Sequence, residues 1–245
     1  MNNITIPLII SFIAGSGTVL GSLLAFIPKF KKDAYISLFL TFSAIIMIYI
    51  SISDLIPTSI RYIYNNYRYP NSIISIIIPF VIGYIIVYIL NNRIEEGSNL
   101  KKISIISFIA LILHNFPEGI ATMMTLMFDR QIGYHLALSI LFHNIPEGII
   151  LSIPISNVTH SSLKGVGVST IAALSEPLGA LLCYLFFKNY INKLFLSLVL
   201  LFVAGLMISL SINNIYKYLL NSNNKKYILY GIILSFIYIY IINII

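Results

Sequence analysis

Eight apolar segments of about 20 residues constrain this chain more than any other feature of its sequence. We call them spans 1 to 8; they lie at roughly 5–27, 35–56, 72–90, 103–127, 133–153, 165–187, 194–216 and 227–245. A helix needs about 20 apolar residues to cross the hydrocarbon core of a bilayer. The spans lack the two-residue alternation that the wall of a transmembrane β-barrel requires. The sequence therefore predicts an all-α polytopic membrane protein with eight transmembrane helices.

The scarcity of charged residues excludes a soluble enzyme. Only 9% of the residues are charged and 58% are hydrophobic, whereas an average soluble domain carries about 25% charged residues. So little polar surface cannot keep so apolar a chain in water. We therefore expect a multi-pass protein of the cell (inner or plasma) membrane, in contact with the lipid bilayer, whose residues 1–245 form a single transmembrane domain.

Lysine and arginine are distributed unequally between the two sets of loops. The loops after spans 1, 3, 5 and 7 hold ten of these residues, and the loops after spans 2, 4 and 6 hold five. Cytoplasmic loops are enriched in lysine and arginine, so the first set is predicted to face the cytoplasm and both termini to lie outside. The net charge of +7 then reflects orientation and contact with anionic lipid. No nucleic-acid partner is expected.

Ionisable side chains occur near the centre of only three spans. The motif His-Asn-x-Pro-Glu-Gly appears at His114–Gly119 in span 4 and again at His143–Gly148 in span 5, while span 6 holds Ser-Glu-Pro-Leu-Gly around Glu176. A charge at the bilayer centre costs at least about 2.5–3.5 kcal/mol, so each of these groups is expected to have a function. Because consecutive spans are antiparallel, the two motifs form an inverted repeat, which is typical of secondary transporters with a site at the midplane.

The spacing within each motif places its polar side chains on one helix face. His114 and Glu118 are four residues apart and Asn115 and Glu118 are three apart, and the second motif repeats both intervals. Together the three spans offer two imidazoles, three carboxylates and two carboxamides, which are donors that suit divalent transition metals. The predicted metal-binding residues are His114, Asn115, Glu118, His143, Asn144, Glu147 and Glu176.

A proline lies inside each motif. Pro117, Pro146 and Pro177 cannot donate a backbone hydrogen bond, so each is predicted to free the carbonyl four residues earlier. Metal ligands must be deprotonated to bind, and we therefore expect metal loading to weaken at low pH. Three carboxylates around two divalent ions would leave a local charge of +1, so the donor set allows a second ion without requiring it.

Span 2 contributes two further candidates, each with a structural alternative. Met47 lies at the middle of the span and is either a metal ligand or apolar packing. Asp54 lies two turns later on the same face, where it either lines a vestibule leading to the site or is an ordinary interfacial residue. His135 and His160 are expected to be an interfacial residue and a loop residue, with metal hand-off as the alternative for both.

The paired motifs of spans 4 and 5, together with Ser-Glu-Pro-Leu-Gly in span 6, resemble the ZIP (Zrt/Irt-like) divalent metal transporters, in particular the bacterial ZupT-like and GufA-like members. The resemblance covers the whole eight-span layout. It implies a 3+2+3 arrangement of the helices with inverted pseudo-symmetry, a homodimer, and an elevator-like motion of spans 1, 4, 5 and 6 against the remainder.

The resemblance also implies a binuclear metal site. The first ion would be held by His114, Glu118, His143 and Glu147, with Met47 as a further ligand. The second ion would be held by Asn115, Glu118, Asn144, Glu147 and Glu176. Asp54 falls where the family often has a polar or acidic residue beside the site.

The predicted function is uptake of divalent transition metals into the cytoplasm by alternating access, with zinc foremost and iron, manganese, cobalt and cadmium as further substrates. The metal is the transported substrate, and no catalytic cofactor is expected. The alternative is an intramembrane metal-dependent enzyme. A catalytic zinc keeps an open position for water, and the His-Glu-x-x-His motif of intramembrane proteases is absent from the sequence. We therefore expect no enzymatic activity.

Overall fold

A computed structural model describes residues 4–66, 71–92, 100–187, 192–221 and 224–243 of the chain. Regular structure within these ranges is helical and contains no strand, which confirms the all-α prediction. A helical segment lies over each of the eight predicted spans. The α-helices are α1 (Thr5–Leu23), α2 (Asp33–Ile50), α3 (Ile56–Asn66), α4 (Asn71–Asn92), α5 (Leu100–Phe128), α6 (Arg130–Thr159), α7 (Ser162–Ala173), α8 (Ser175–Phe187), α9 (Lys193–Asn221) and α10 (Lys225–Ile242).

Two of the predicted spans contain local irregularities. In span 2, α2 continues through a π-helical turn, Ser51–Leu55, into α3; such turns are frequent at functional sites. Span 6 is divided at Leu174 into α7 and α8. Pro177 has no N–H to donate to the Ala173 carbonyl, so a regular helix is interrupted there. The prolines of spans 4 and 5 are, by contrast, accommodated inside α5 and α6.

The lengths and outer surfaces of the helices are those of a membrane protein. Among the described residues, α5 has 29 residues, or a length of about 43 Å at 1.5 Å per residue. The apolar helix Ile73–Ile89 is shorter than the six segments named below. Large apolar side chains such as Ile74, Phe236 and Tyr240 face outwards, while the histidines and glutamates of the repeated motifs are buried. Within the described ranges, six segments are long and apolar enough to span a bilayer: Thr5–Phe26, Ala34–Asn65, Arg130–Thr159, Ser162–Phe187, Lys193–Ile212 and Lys225–Ile242.

The helices form two groups. In the first group, α1 packs on α6, α5 packs on α8, and α7 lies against α1 and α6. In the second group, α4 and α3 pack on α9, and α10 packs on α2. Each described glycine whose added Cβ would meet another helix lies against a helix of its own group. Close backbone approach at glycines therefore joins helices within each group, while α2 also packs on α6 and α9 also packs on α5.

The largest apolar cluster lies where the two groups meet. It contains buried side chains of α1, α2, α5, α6, α8 and α9. Four of the six methionines of the chain belong to it and are at most 1% exposed, namely Met47, Met123, Met124 and Met207. The polar site lies in the interior of the first group, beside this cluster.

Candidate metal site

The histidines and glutamates of the two repeated motifs meet between α5 and α6. His143 Nε2 lies 3.2 Å from Glu118 Oε1, and His114 Nε2 lies 3.4 Å from Glu118 Oε1 and from Glu147 Oε1. None of the four residues is more than 5% exposed. Glu118 therefore lies between the two imidazoles, each of which comes from a different helix.

Local hydrogen bonding fixes the orientation of one imidazole. His143 Nδ1 lies 3.1 Å from the Ser139 carbonyl oxygen, one turn earlier in α6. A carbonyl oxygen can only accept, so this contact requires the proton on Nδ1. The Nε2 atom faces Glu118 and is therefore presented as a metal donor, which is the arrangement expected of a metal-binding histidine.

Asn144 connects this cluster to α1 and α8. Its Nδ2 donates to the Ala14 carbonyl oxygen at 3.2 Å and to Glu176 Oε2 at 3.1 Å. Glu176 is fully buried in the first turn of α8, directly after the interruption at Leu174. The helix break thus places a carboxylate within electrostatic range of Glu118 and Glu147. Asn115 is also fully buried on α5.

Many polar atoms of the site have no hydrogen-bond partner among the described residues. Buried polar atoms without a partner are rare in folded proteins, and three buried carboxylates would repel one another without a compensating positive charge. One donor atom from each of His114, His143 and Glu147 lies within 4.8 Å of the others. A divalent cation would satisfy these donors. The atoms without a hydrogen bond to a described residue include Asn115 Oδ1, Glu118 Oε2, Glu147 Oε2, Asn144 Oδ1 and Glu176 Oε1. His114 Nε2, His143 Nε2, Glu118 Oε1 and Glu147 Oε1 also form no hydrogen bond with a described residue, although they form ion pairs with one another at 3.2–3.4 Å.

The two candidates of span 2 lie in different surroundings. Met47 is fully buried in the apolar cluster between the helix groups. Asp54 is exposed on the π-helical turn and lines a cavity that also contains His135. The sequence favoured an interfacial residue at His135, with metal hand-off as the alternative. The spacing of His135, Ser139 and His143, at intervals of four residues along α6, was the signal that could have connected it to the metal cluster.

The helices carry apolar side chains on their outer surface and enclose a buried cluster of imidazoles and carboxylates. These features define a multi-pass integral membrane protein whose interior is compatible with metal binding. The family described as ZIP Zinc transporter matches residues 90–242, and the chain belongs to this ZIP family.

Relatives match nearly the whole chain. The protein is 29% identical over 254 residues to the "Zinc transporter ZupT" of Oceanobacillus iheyensis, covering 95% of each chain. It is 28% identical over 241 residues to the protein of the same name from Streptococcus mutans, covering 92% of this chain and 91% of the relative. The ZupT of Clostridium perfringens is 27% identical over 265 residues, covering 95% and 93%. The resemblance based on the two motifs is therefore confirmed.

Proposed function

We propose that this protein carries divalent transition-metal ions through the membrane into the cytoplasm, with zinc as the main substrate and iron, manganese, cobalt and cadmium as further substrates. The observation that carries the proposal is the buried cluster in which Glu118 lies between His114 and His143. Imidazole and carboxylate donors suit these metals, and the absence of a thiolate ligand favours release. The relatives named as zinc transporters support the same substrate class, and no enzymatic step is part of the proposal.

The donor set supports two metal positions that share the glutamates. In this proposal one ion contacts the imidazoles, and the second contacts the carboxamides and Glu176. The shared residues are Glu118 and Glu147, whose oxygens could bridge the two ions. Asn144 Oδ1 and Glu176 Oε1 support the second position, since both atoms are buried without a hydrogen-bond partner among the described residues.

The proposed transport cycle moves the first helix group (α1 and α5 to α8) against the second (α2 to α4, α9 and α10). All seven proposed ligands of the motifs lie on α5, α6 and α8, so the metal would travel with the first group. The confinement of the close glycine contacts to helices of the same group supports this elevator-like motion. The proposal includes both termini outside, a 3+2+3 arrangement in one transmembrane domain, and a homodimer.

Zinc influx into proteoliposomes tests the function and its site together. We expect the parent protein to take up zinc faster than protein-free liposomes, and iron, manganese, cobalt and cadmium to compete with it. The double variant His114→Ala, His143→Ala should lose uptake, because it removes both nitrogen donors of the cluster. His160→Asn is the matched control, since His160 is exposed at the end of α6 with φ 51°, a conformation that asparagine tolerates.

The outcomes separate the function from the site. Uptake by the parent no faster than by protein-free liposomes would contradict metal transport. Equal uptake by the parent and the double histidine variant would contradict the assignment of the metal site.

A further inference from the structure

A cavity of about 440 Å³ lies beside the metal site, between the two helix groups. Its walls come from the end of α2, the π-helical turn and α3, from the end of α5, from the first three turns of α6, from α9, and from the end of α10. In the proposed orientation these helix ends lie at the outer face of the membrane. Its polar lining includes Asp54, Thr58, Thr125, Gln131, His135 and Ser139.

Two rows of polar side chains connect the cavity with the metal cluster. On α5, Glu118, Thr122 and Thr125 share one face over two turns, a rise of about 10 Å. The hydroxyls of both threonines are buried and have no hydrogen-bond partner among the described residues. Thr125 lines the cavity, so the α5 row runs from the cavity to Glu118.

The second row lies on α6. His135, Ser139 and His143 follow one another at intervals of four residues, each about 6 Å along the helix axis. His135 and Ser139 line the cavity, while His143 contacts Glu118 at 3.2 Å. The two rows therefore converge at the metal cluster.

The outer part of the cavity carries a carboxylate and an imidazole from different helix groups. Asp54 is exposed and His135 is partly exposed, and both side chains line this cavity. Asp54 forms no salt bridge with lysine or arginine within the described ranges. A carboxylate and an imidazole that face a water-accessible cavity are donors for a divalent transition metal, with water completing the coordination.

We propose that Asp54 and His135 form a capture site for a divalent transition metal at the outer end of this cavity, from which the ion passes between the two polar rows to the midplane cluster. This inference rests on the proposed transport function. Two protein ligands hold the ion less tightly than the full midplane donor set, so the ion can leave inwards. The negative charge of Asp54 also raises the local concentration of cations in the cleft.

Transport kinetics test the capture site. We expect Asp54→Asn and His135→Asn to raise the KM for zinc influx, with a loss of kcat/KM on the order of tenfold. The maximal rate should be retained, since the midplane ligands are unchanged. His160→Asn makes the same chemical change outside the cavity and should leave KM unaltered. An unchanged KM in both cavity variants would overturn the capture site.

Metal binding to the full-length purified protein gives a second readout that does not depend on transport. Calorimetric titration with Co²⁺ should show a weak class of site in the parent that the double variant Asp54→Asn, His135→Asn lacks. The tighter midplane binding should persist in that variant. If the double variant binds as many Co²⁺ ions as the parent, the capture site is wrong even when zinc influx by the parent upholds the proposed function. If the parent transports no zinc, the transport function is wrong even when the weak site is present.

Discussion

Replacement of Glu118 by glutamine should lower the kcat/KM of zinc influx roughly a hundredfold. Glu118 Oε1 lies 3.2 Å from His143 Nε2 and 3.4 Å from His114 Nε2, so this carboxylate occupies the centre of the cluster. The amide removes a negative charge and places an N–H group where a metal donor is needed. Loss of a buried, charge-assisted interaction costs about 3 kcal/mol, and each 1.4 kcal/mol is about tenfold.

Glu176→Gln is the matched control for this effect. Glu176 is equally buried, but its Oε2 accepts a hydrogen bond from Asn144, which the glutamine carbonyl can keep. We expect about a tenfold loss, equivalent to about 1.4 kcal/mol, because Glu176 would contact only the second proposed ion, whereas Glu118 would be shared by both. Size-exclusion chromatography should show that both variants remain folded. Equal losses in the two variants would contradict the central role of Glu118.

Gly119→Ala should lower the free energy of unfolding by about 1–3 kcal/mol, the usual cost of overpacking. A Cβ atom at Gly119 would overlap the Glu176 carbonyl oxygen, and one at Gly179 would overlap the Phe116 carbonyl oxygen. The backbones of α5 and α8 thus touch through a reciprocal pair of glycines, as is common where transmembrane helices pack closely. Added bulk would separate the two helices and move Glu176 away from Glu118, so zinc influx should fall as well.

Gly167→Ala is the matched control, and its effect should have the opposite sign. A Cβ atom at Gly167, inside α7, would meet nothing within 4 Å. Alanine there should stabilise the helix by roughly 0.5–1 kcal/mol, because glycine loses more backbone entropy on folding. Thermal unfolding followed by circular dichroism at 222 nm measures both changes. A Gly119→Ala protein that melts no lower than the parent would show that α5 and α8 can separate without cost.

The sequence predicted the helical class and the composition of the site, because both follow from local patterns. Apolar runs of sufficient length can only be helices in a bilayer, and the four-residue spacing of His114 and Glu118 fixes their common face. The inverted repeat then indicated that the second motif would face the first. The contacts of Glu118 with both His114 and His143 agree with that expectation.

The features that the sequence did not predict depend on contacts between distant parts of the chain. The three prolines have the same local chemistry, yet only the one at Pro177 accompanies a helix break. Ala173, whose carbonyl Pro177 frees, packs against Gly15 of α1, and this contact is not visible in the motif itself. The π-helical turn at Asp54 and the cavity shared by Asp54 and His135 are likewise not visible in the motifs, since they involve helices that are distant in sequence.

The methionines between the helix groups bear on how fast the protein could work. Methionine is unbranched and has three rotatable bonds, so it adapts to irregular and changing surroundings. Branched side chains interlocked at this boundary would have to disengage together before one group could slide past the other, which raises the activation barrier. Met47, Met123, Met124 and Met207 can instead change rotamers one at a time. In the proposed elevator-like motion, these four side chains would therefore lower the activation barrier of a boundary that also contains branched residues such as Ile46, Ile140 and Leu200.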